Sequence, residues 1–236
     1  MKKQMPWLRA VLEGALIVSS ILLAFGIDAW WADQQDEKES LRLVAGLHED
    51  FAATRSALFE TIRIQEETID RLARLDRMTE VDLAHVPADS VDGFVFAVQA
   101  PWTFDAQSGT LEALIASGRL SILSVSGLSG ALLSWKARVA DLEEEKSAVR
   151  AIADATRHRT AVLGGPWGTE DLAVTPSMAE ALQRLPPPEL TLVATDAALR
   201  ALLREKRVVS IIYMSELIPL LERTESIIKI LDGALP

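Results

Sequence analysis

The sequence predicts an all-α protein: an N-terminal transmembrane helix that continues into a long helix, packed in an antiparallel extracytoplasmic helical bundle. Three observations carry this. Gly14 to Ile27 is an uncharged apolar run framed by tryptophans. Asp33 to Arg77 contains no proline and repeats apolar residues at steps of three and four. Leu, Ala, Glu and Arg dominate the composition, and no strand-like alternation appears. Long helices joined by breaker-rich connections pack as a bundle.

The apolar run alone is shorter than the roughly 20 residues a helix needs to cross a bilayer. Val11 and Leu12 lengthen it, with Glu13 near the headgroups. Trp7 precedes it, and Trp30 and Trp31 close it, as expected where an indole keeps its ring in lipid and its N–H in water. Trp7 and Trp30 stand roughly 35 Å apart along such a helix. A cleaved signal peptide would need a small-x-small site, and Asp28-Ala29-Trp30-Trp31-Ala32 does not supply one. The chain thus divides into a cytoplasmic tail at 1–10, a transmembrane helix at 11–31 and an extracytoplasmic helical-bundle domain at 32–236. Lys2, Lys3 and Arg9 before the segment, against Asp33, Asp36, Glu37 and Glu39 after it, place the N-terminus in the cytoplasm.

Glu13, Ile17, Ser20, Ala24 and Asp28 share one stripe of this helix. Small and polar residues on a stripe permit close helix contact, with a second copy or another membrane protein as the partner. Neither acid lies near the midplane, which also fits two hydrated interfacial carboxylates.

Beyond the anchor, Val44, Leu47, Phe51, Leu58, Ile62, Ile69 and Leu72 mark an apolar seam, with Thr54 and Gln65 filling it. The step from Leu58 to Ile62 reads as a stutter. Pro87 and Pro101 break the pattern, and Ser90 is the expected cap of a short helix over Val91 to Gln99. Phe94, Phe96, Trp102 and Phe104 concentrate aromatic mass, read as a plug closing one end of the bundle rather than a ligand pocket. Ser108 and Gly118 delimit a helix around Thr110 to Ala116. Arg119 to Leu123 reads as extended or turn-like. Ser124 or Ser126 then starts a long helix with Leu128, Leu132, Trp135, Val139, Leu142, Val149 and Ile152 inward. Gly164-Gly165-Pro166-Trp167-Gly168 ends it. Thr175 and Pro176 suggest a short helix and Pro186-Pro187-Pro188 an extended connector. Thr195 is the expected cap of a final helix to Asp232, kinked at Pro219. Its apolar stretch Val208 to Ser215 is followed by Glu216, Glu222, Arg223 and Glu225, which rules against a second span.

These residues carry a resemblance. Ile27-Asp28-Ala29-Trp30-Trp31, Leu41 and Leu47-His48-Glu49-Asp50 come first. Trp102-Thr103-Phe104-Asp105, Thr110-Leu111-Glu112-Ala113-Leu114 and Ser117-Gly118-Arg119-Leu120 follow, then a helix such as Leu128 to Val139. Together they resemble a group of uncharacterised bacterial single-span membrane proteins. The likeness covers most of Ile27 to Leu142 and, weakly, the last helix. It departs at Ser134-Trp135, where the group carries an aromatic pair. It implies a bacterial inner-membrane anchor with a helical periplasmic region, and no activity.

Chemistry-bearing patterns are sparse. There is no cysteine, which excludes a thiolate nucleophile and Cys-type zinc sites. His48, His85 and His158 lack metal-ligand spacing and read as surface residues. Glu143-Glu144-Glu145 points in different directions on a helix and reads as a solvated face. The Gly164 to Gly168 stretch lacks the lysine of a phosphate loop, and no Gly-x-Ser-x-Gly elbow appears. The net charge of −10 argues against a nucleic-acid partner. No cofactor and no catalysis are expected. Two roles remain: a structural or assembly subunit of an inner-membrane complex, or a ligand-sensing bundle. The tail at 1–10 is too short for a signalling domain, so a sensor would act through a partner membrane protein.

Overall fold

The computed structural model describes residues 6–123, 125–164 and 190–235. Helix α1 runs unbroken over Pro6–Arg77, 72 residues, or about 108 Å at the usual rise. Helices α2 (Glu80–Ala84), α3 (Ala88–Gln99) and α4 (Gly109–Ala116) follow. A 3₁₀ turn at Leu120–Ile122 leads to α5 (Leu128–Asp141) and α6 (Glu143–Gly164), then α7 (Leu192–Thr195) and α8 (Ala197–Asp232). Among the described residues there is no strand, and the protein is all-α. The Thr175–Pro176 helix, the triple-proline connector and the breaker from Gly165 onward lie outside the described residues.

The side-chain pairs give the topology. His48 meets Asp232 at 2.9 Å and Arg204 meets Asp76 at 2.7 Å, so α1 and α8 run antiparallel. Trp135 on α5 bonds Thr224 at 2.9 Å, and Arg159 on α6 pairs with Asp196. The α5–α6 arm therefore runs with α1, and the α3-to-α4 segment returns between them.

Two apolar cores form. The one nearer the N-terminal apolar segment gathers Val44, Leu47, Phe51 and Leu58 of α1 with Leu111, Leu132, Trp135, Leu217, Leu220 and Leu231. The distal one gathers Leu72 and Leu75 with Leu83, Phe94, Val98, Val193, Leu199 and Leu203. Among the buried positions of α1, 40, 44, 47, 51, 54, 58, 61, 65, 68, 72 and 75 form the inward seam, with Ile64 and Ala73 buried beside it. Steps of three and four alternate without a break, the heptad rhythm of a left-handed supercoil. There is no stutter: Ile62 and Ile69 lie on the flank, half-buried, while polar Thr61, Gln65 and Thr68 occupy the seam. They are tolerated there because Thr61 bonds the Ala57 carbonyl at 2.8 Å and Gln65 Nε2 bonds the Trp102 carbonyl at 2.8 Å.

Several helix ends differ from the sequence expectation. Ser108 precedes α4 but makes no side-chain cap; Asp50 of α1 instead accepts from the Thr110 amide at 2.8 Å. A carboxylate suits a helix start whichever segment supplies it. Gly46 lies beneath: a Cβ there would stand 3.3 Å from Thr110 Oγ1, so glycine lets α4 approach α1. Gly118 does end α4, at φ +68°, with Arg119 N bonding Leu114 O and Gly118 N bonding Ile115 O, a Schellman closure. The segment after it is a 3₁₀ turn. No serine caps α5; Gly127, at φ +79°, turns the chain into it. The long helix expected there is interrupted at Leu142, dividing α5 from α6. Helix α3 starts at Ala88 after Pro87, two residues before Ser90. Asp196, not Thr195, caps α8, accepting from Leu199 N at 2.6 Å, and Thr195 closes the one-turn α7. Helix α8 continues through Pro219, whose missing N–H leaves the Ser215 carbonyl without its helical donor.

Candidate interaction site

The apolar stretch of α1 is long and apolar enough to span a membrane, with a mean hydropathy of 1.8 and none of its window buried in the chain. Leu16, Val18, Ile21, Leu22, Leu23, Phe25 and Ile27 are all at least half-exposed, and so are Trp30 and Trp31. The two indoles lie tilted at 6.4 Å at one end of the segment. Of the stripe, Glu13, Ser20, Ala24 and Asp28 are exposed along one side. The side chains of Trp7 and Ile17 lie outside the described residues. Ser20 Oγ donates to the Leu16 carbonyl at 2.8 Å, so its proton is used within the helix. What it offers a neighbour is an acceptor oxygen and small bulk.

The helix then passes into the bundle without a break. Ser40 is its first buried residue among those described, nine positions and about 14 Å beyond Trp31. Just before it, Glu39 receives two bonds from Arg119 at 2.5 and 2.7 Å. Arg119 holds the Glu39 carboxyl below its usual range, and the arginine is raised in turn. This fork-to-fork pair ties the turn after α4 to the part of α1 just beyond its apolar segment.

The outer side of α8 is the second exposed apolar surface. Val208, Ile211, Ile212 and Ile218 are 41–55% exposed, with charged Arg204 and Glu222 at the two ends of the strip. The apolar stretch from Val208 to Ser215 thus serves two sides: Ser210 and Tyr213 face the core, while Ile211 and Ile212 face outward.

The aromatic residues are not one plug. Phe94 is buried in the distal core and Phe104 in the proximal one. Trp102 is 44% exposed, tilted at 6.0 Å against Phe96. The split follows from the chain path, because the non-helical stretch after Pro101 descends from one core to the other. Tyr213 fixes that descent: its buried hydroxyl accepts from the Phe104 amide at 2.8 Å, and burial pushes the phenol up to about 12. Sequence reading did not single out Tyr213, although a lone tyrosine in the last helix was a usable signal.

Below Phe104 lies a cavity of about 220 Å³ lined by Asp105, Val139, Leu142, Glu143 and Lys146. It is smaller than the roughly 300 Å³ at which ligand pockets begin. The buried Lys146 ammonium bonds Asp105 Oδ1 at 2.8 Å and Glu143 Oε1 at 2.7 Å. Burial opposes its charge, and the two carboxylates more than offset that, so its pKa is raised. The cluster clamps the Phe104 loop to α6. Pro219 sits half-buried on α8, and Gly118 ends α4 next to Arg119, which pairs with Glu39 of α1. No protein-family model, curated protein or solved structure matches the chain.

Proposed function

We propose that this chain is a membrane-anchored structural or assembly subunit, which holds a partner beside a bacterial inner membrane with its bundle on the periplasmic side. The reading rests chiefly on one observation: the exposed apolar segment and the principal bundle helix are a single helix, α1, with no flexible joint between them. A contact made by the bundle is then held at fixed height and direction above the bilayer. The basic tail before the segment and the acids after it support the orientation. The likeness to bacterial single-span proteins supports the choice of membrane. The packed state of Phe94 and Phe104 favours this role over ligand sensing, since both rings fill cores instead of lining a site.

The contact surfaces are the stripe of Glu13, Ser20, Ala24 and Asp28 within the membrane and the outer strip of α8 above it. Ala24→Leu adds bulk to the stripe while keeping the segment apolar; Leu22→Ala is the control on the other side. Mild-detergent co-purification of a partner, or of a second tagged copy, is expected to fall at least severalfold in Ala24→Leu and to hold in Leu22→Ala. Equal recovery from both variants and wild type would remove the stripe from the account.

A further inference from the structure

Between the two cores lies a polar layer. Gln65 and Thr68 of α1, Thr156 and Thr160 of α6, and Lys206 and Ser210 of α8 are all buried there. Lys206 is 2% exposed. Its Nζ donates to the carbonyls of Val98 at 2.8 Å and Ala100 at 3.1 Å. Both carbonyls lie at the end of α3, where Pro101 stops the helix and leaves acceptors open. A neutral amine has two N–H donors, which these two acceptors satisfy. An ammonium has a third donor and a full charge.

Nothing facing Lys206 among the described residues answers that charge, for it forms no salt bridge there. From α6 the charge bearing on it is Arg157, also positive and itself paired with Asp154. From α1 the layer contributes uncharged Gln65 and Thr68, and the flanking Glu67 and Arg71 pair with each other at 3.2 Å. On its own helix, Glu205 and Arg207 are exposed and Arg204 reaches Asp76. A second polar atom of the layer, Gln65 Oε1, is buried without a bonding partner. The layer is therefore incompletely satisfied, and it divides one core from the other.

We propose that Lys206 is a proton-sensitive latch between the two lobes. When the amine takes up a proton, an unpaired positive charge enters the layer, the end of α3 is released, and the membrane-distal lobe opens while the proximal lobe stays closed. The distal core is built from the end of α1, from α2, α3 and α7, and from the start of α8, so release of α3 exposes Phe94 and Val98 together with Leu83.

The direction of the effect follows from proton binding. A solvated lysine keeps its proton up to about pH 10.4. Burial, reinforced by Arg157, pulls Lys206 down to about 7. The open form binds more protons across that window, so the closed form gains stability as pH rises from about 7 toward 10.4 and loses that gain as pH falls to about 7. Between about pH 7 and about pH 9 the opening equilibrium of the distal lobe shifts roughly fiftyfold.

Amide hydrogen exchange on the full-length protein in detergent tests this, with rates corrected for the intrinsic pH dependence. Protection of distal amides at Leu75, Leu83 and Phe94–Val98 is expected to rise roughly fiftyfold from about pH 7 to about pH 9. Protection at Leu47, Phe51 and Leu217 should change much less. In Lys206→Met the distal pH response is expected to vanish, whatever the absolute protection. An equal pH response in both lobes of the wild type would overturn the proposal, even if the variant does not fold. A distal response that persists in Lys206→Met would overturn it as well.

Discussion

Replacing Trp135 with alanine is expected to cost about 3–5 kcal/mol and to lower the melting temperature by roughly 10 °C or more. Trp135 is 1% exposed, lies tilted at 4.8 Å against Phe51 and donates its indole N–H to Thr224 Oγ1. One side chain thereby joins α1, α5 and α8 at the centre of the proximal core. Its removal leaves a cavity that three helices would have to move to fill. Trp102→Ala is the matched control, expected to cost about 1 kcal/mol or less. Nearly half of that ring is in solvent, and the contact that holds its segment, Gln65 to the Trp102 carbonyl, is made by the backbone and survives. Thermal denaturation of both variants checks this. Equal losses would mean that the core is not centred on Trp135.

Removal of residues 1–32 is expected to move the protein entirely from the membrane fraction to the soluble fraction, with the melting temperature unchanged to within about 2 °C. No described residue of the apolar window of α1 is buried, and the first buried residue is Ser40. The segment thus lies outside both cores. Fractionation and circular dichroism of the shortened chain read both parts. A molten or strongly destabilised product would show that the anchor is part of the folding unit.

The helical class was legible because its signals are local: an uncharged run, long proline-free stretches and a helical composition. Gly118 was legible for the same reason, since a short apolar helix that stops before glycine has few alternatives. What failed depended on contacts distant in sequence. The apolar pattern of the sequence sets Ile62 and Ile69 in the α1 seam, because apolar residues normally mark the core. Gln65 does lie in the seam, its bond to the Trp102 carbonyl making burial tolerable, but the seam positions beside it are Thr61, bonded to the Ala57 carbonyl, and Thr68. Asp50 serves α4 from 60 residues away, and no reading of the Ser108 region could show that. Thr195 and Asp196 are both good caps on local grounds. The choice falls to Asp196, which Arg159 also pairs with, holding its carboxyl below the usual range. The aromatics around Pro101 looked like one cluster because they are neighbours in sequence, yet the extended stretch carries them to different cores. Lys206 escaped notice because one lysine on a long helix is ordinarily a surface residue, and only the open carbonyls of α3 give it a place inside.

The central claim, a bundle fixed outside the membrane by α1, is tested most directly by cysteine labelling, since the natural chain contains no cysteine to interfere. Lys3→Cys marks the basic tail and Glu225→Cys an exposed position on α8. Cells with a permeabilised outer membrane are treated with a maleimide that cannot cross the inner one. The account expects Glu225→Cys to be labelled at once and Lys3→Cys only after the inner membrane is broken. Labelling of Lys3→Cys in intact spheroplasts, or silence of Glu225→Cys until lysis, would contradict it.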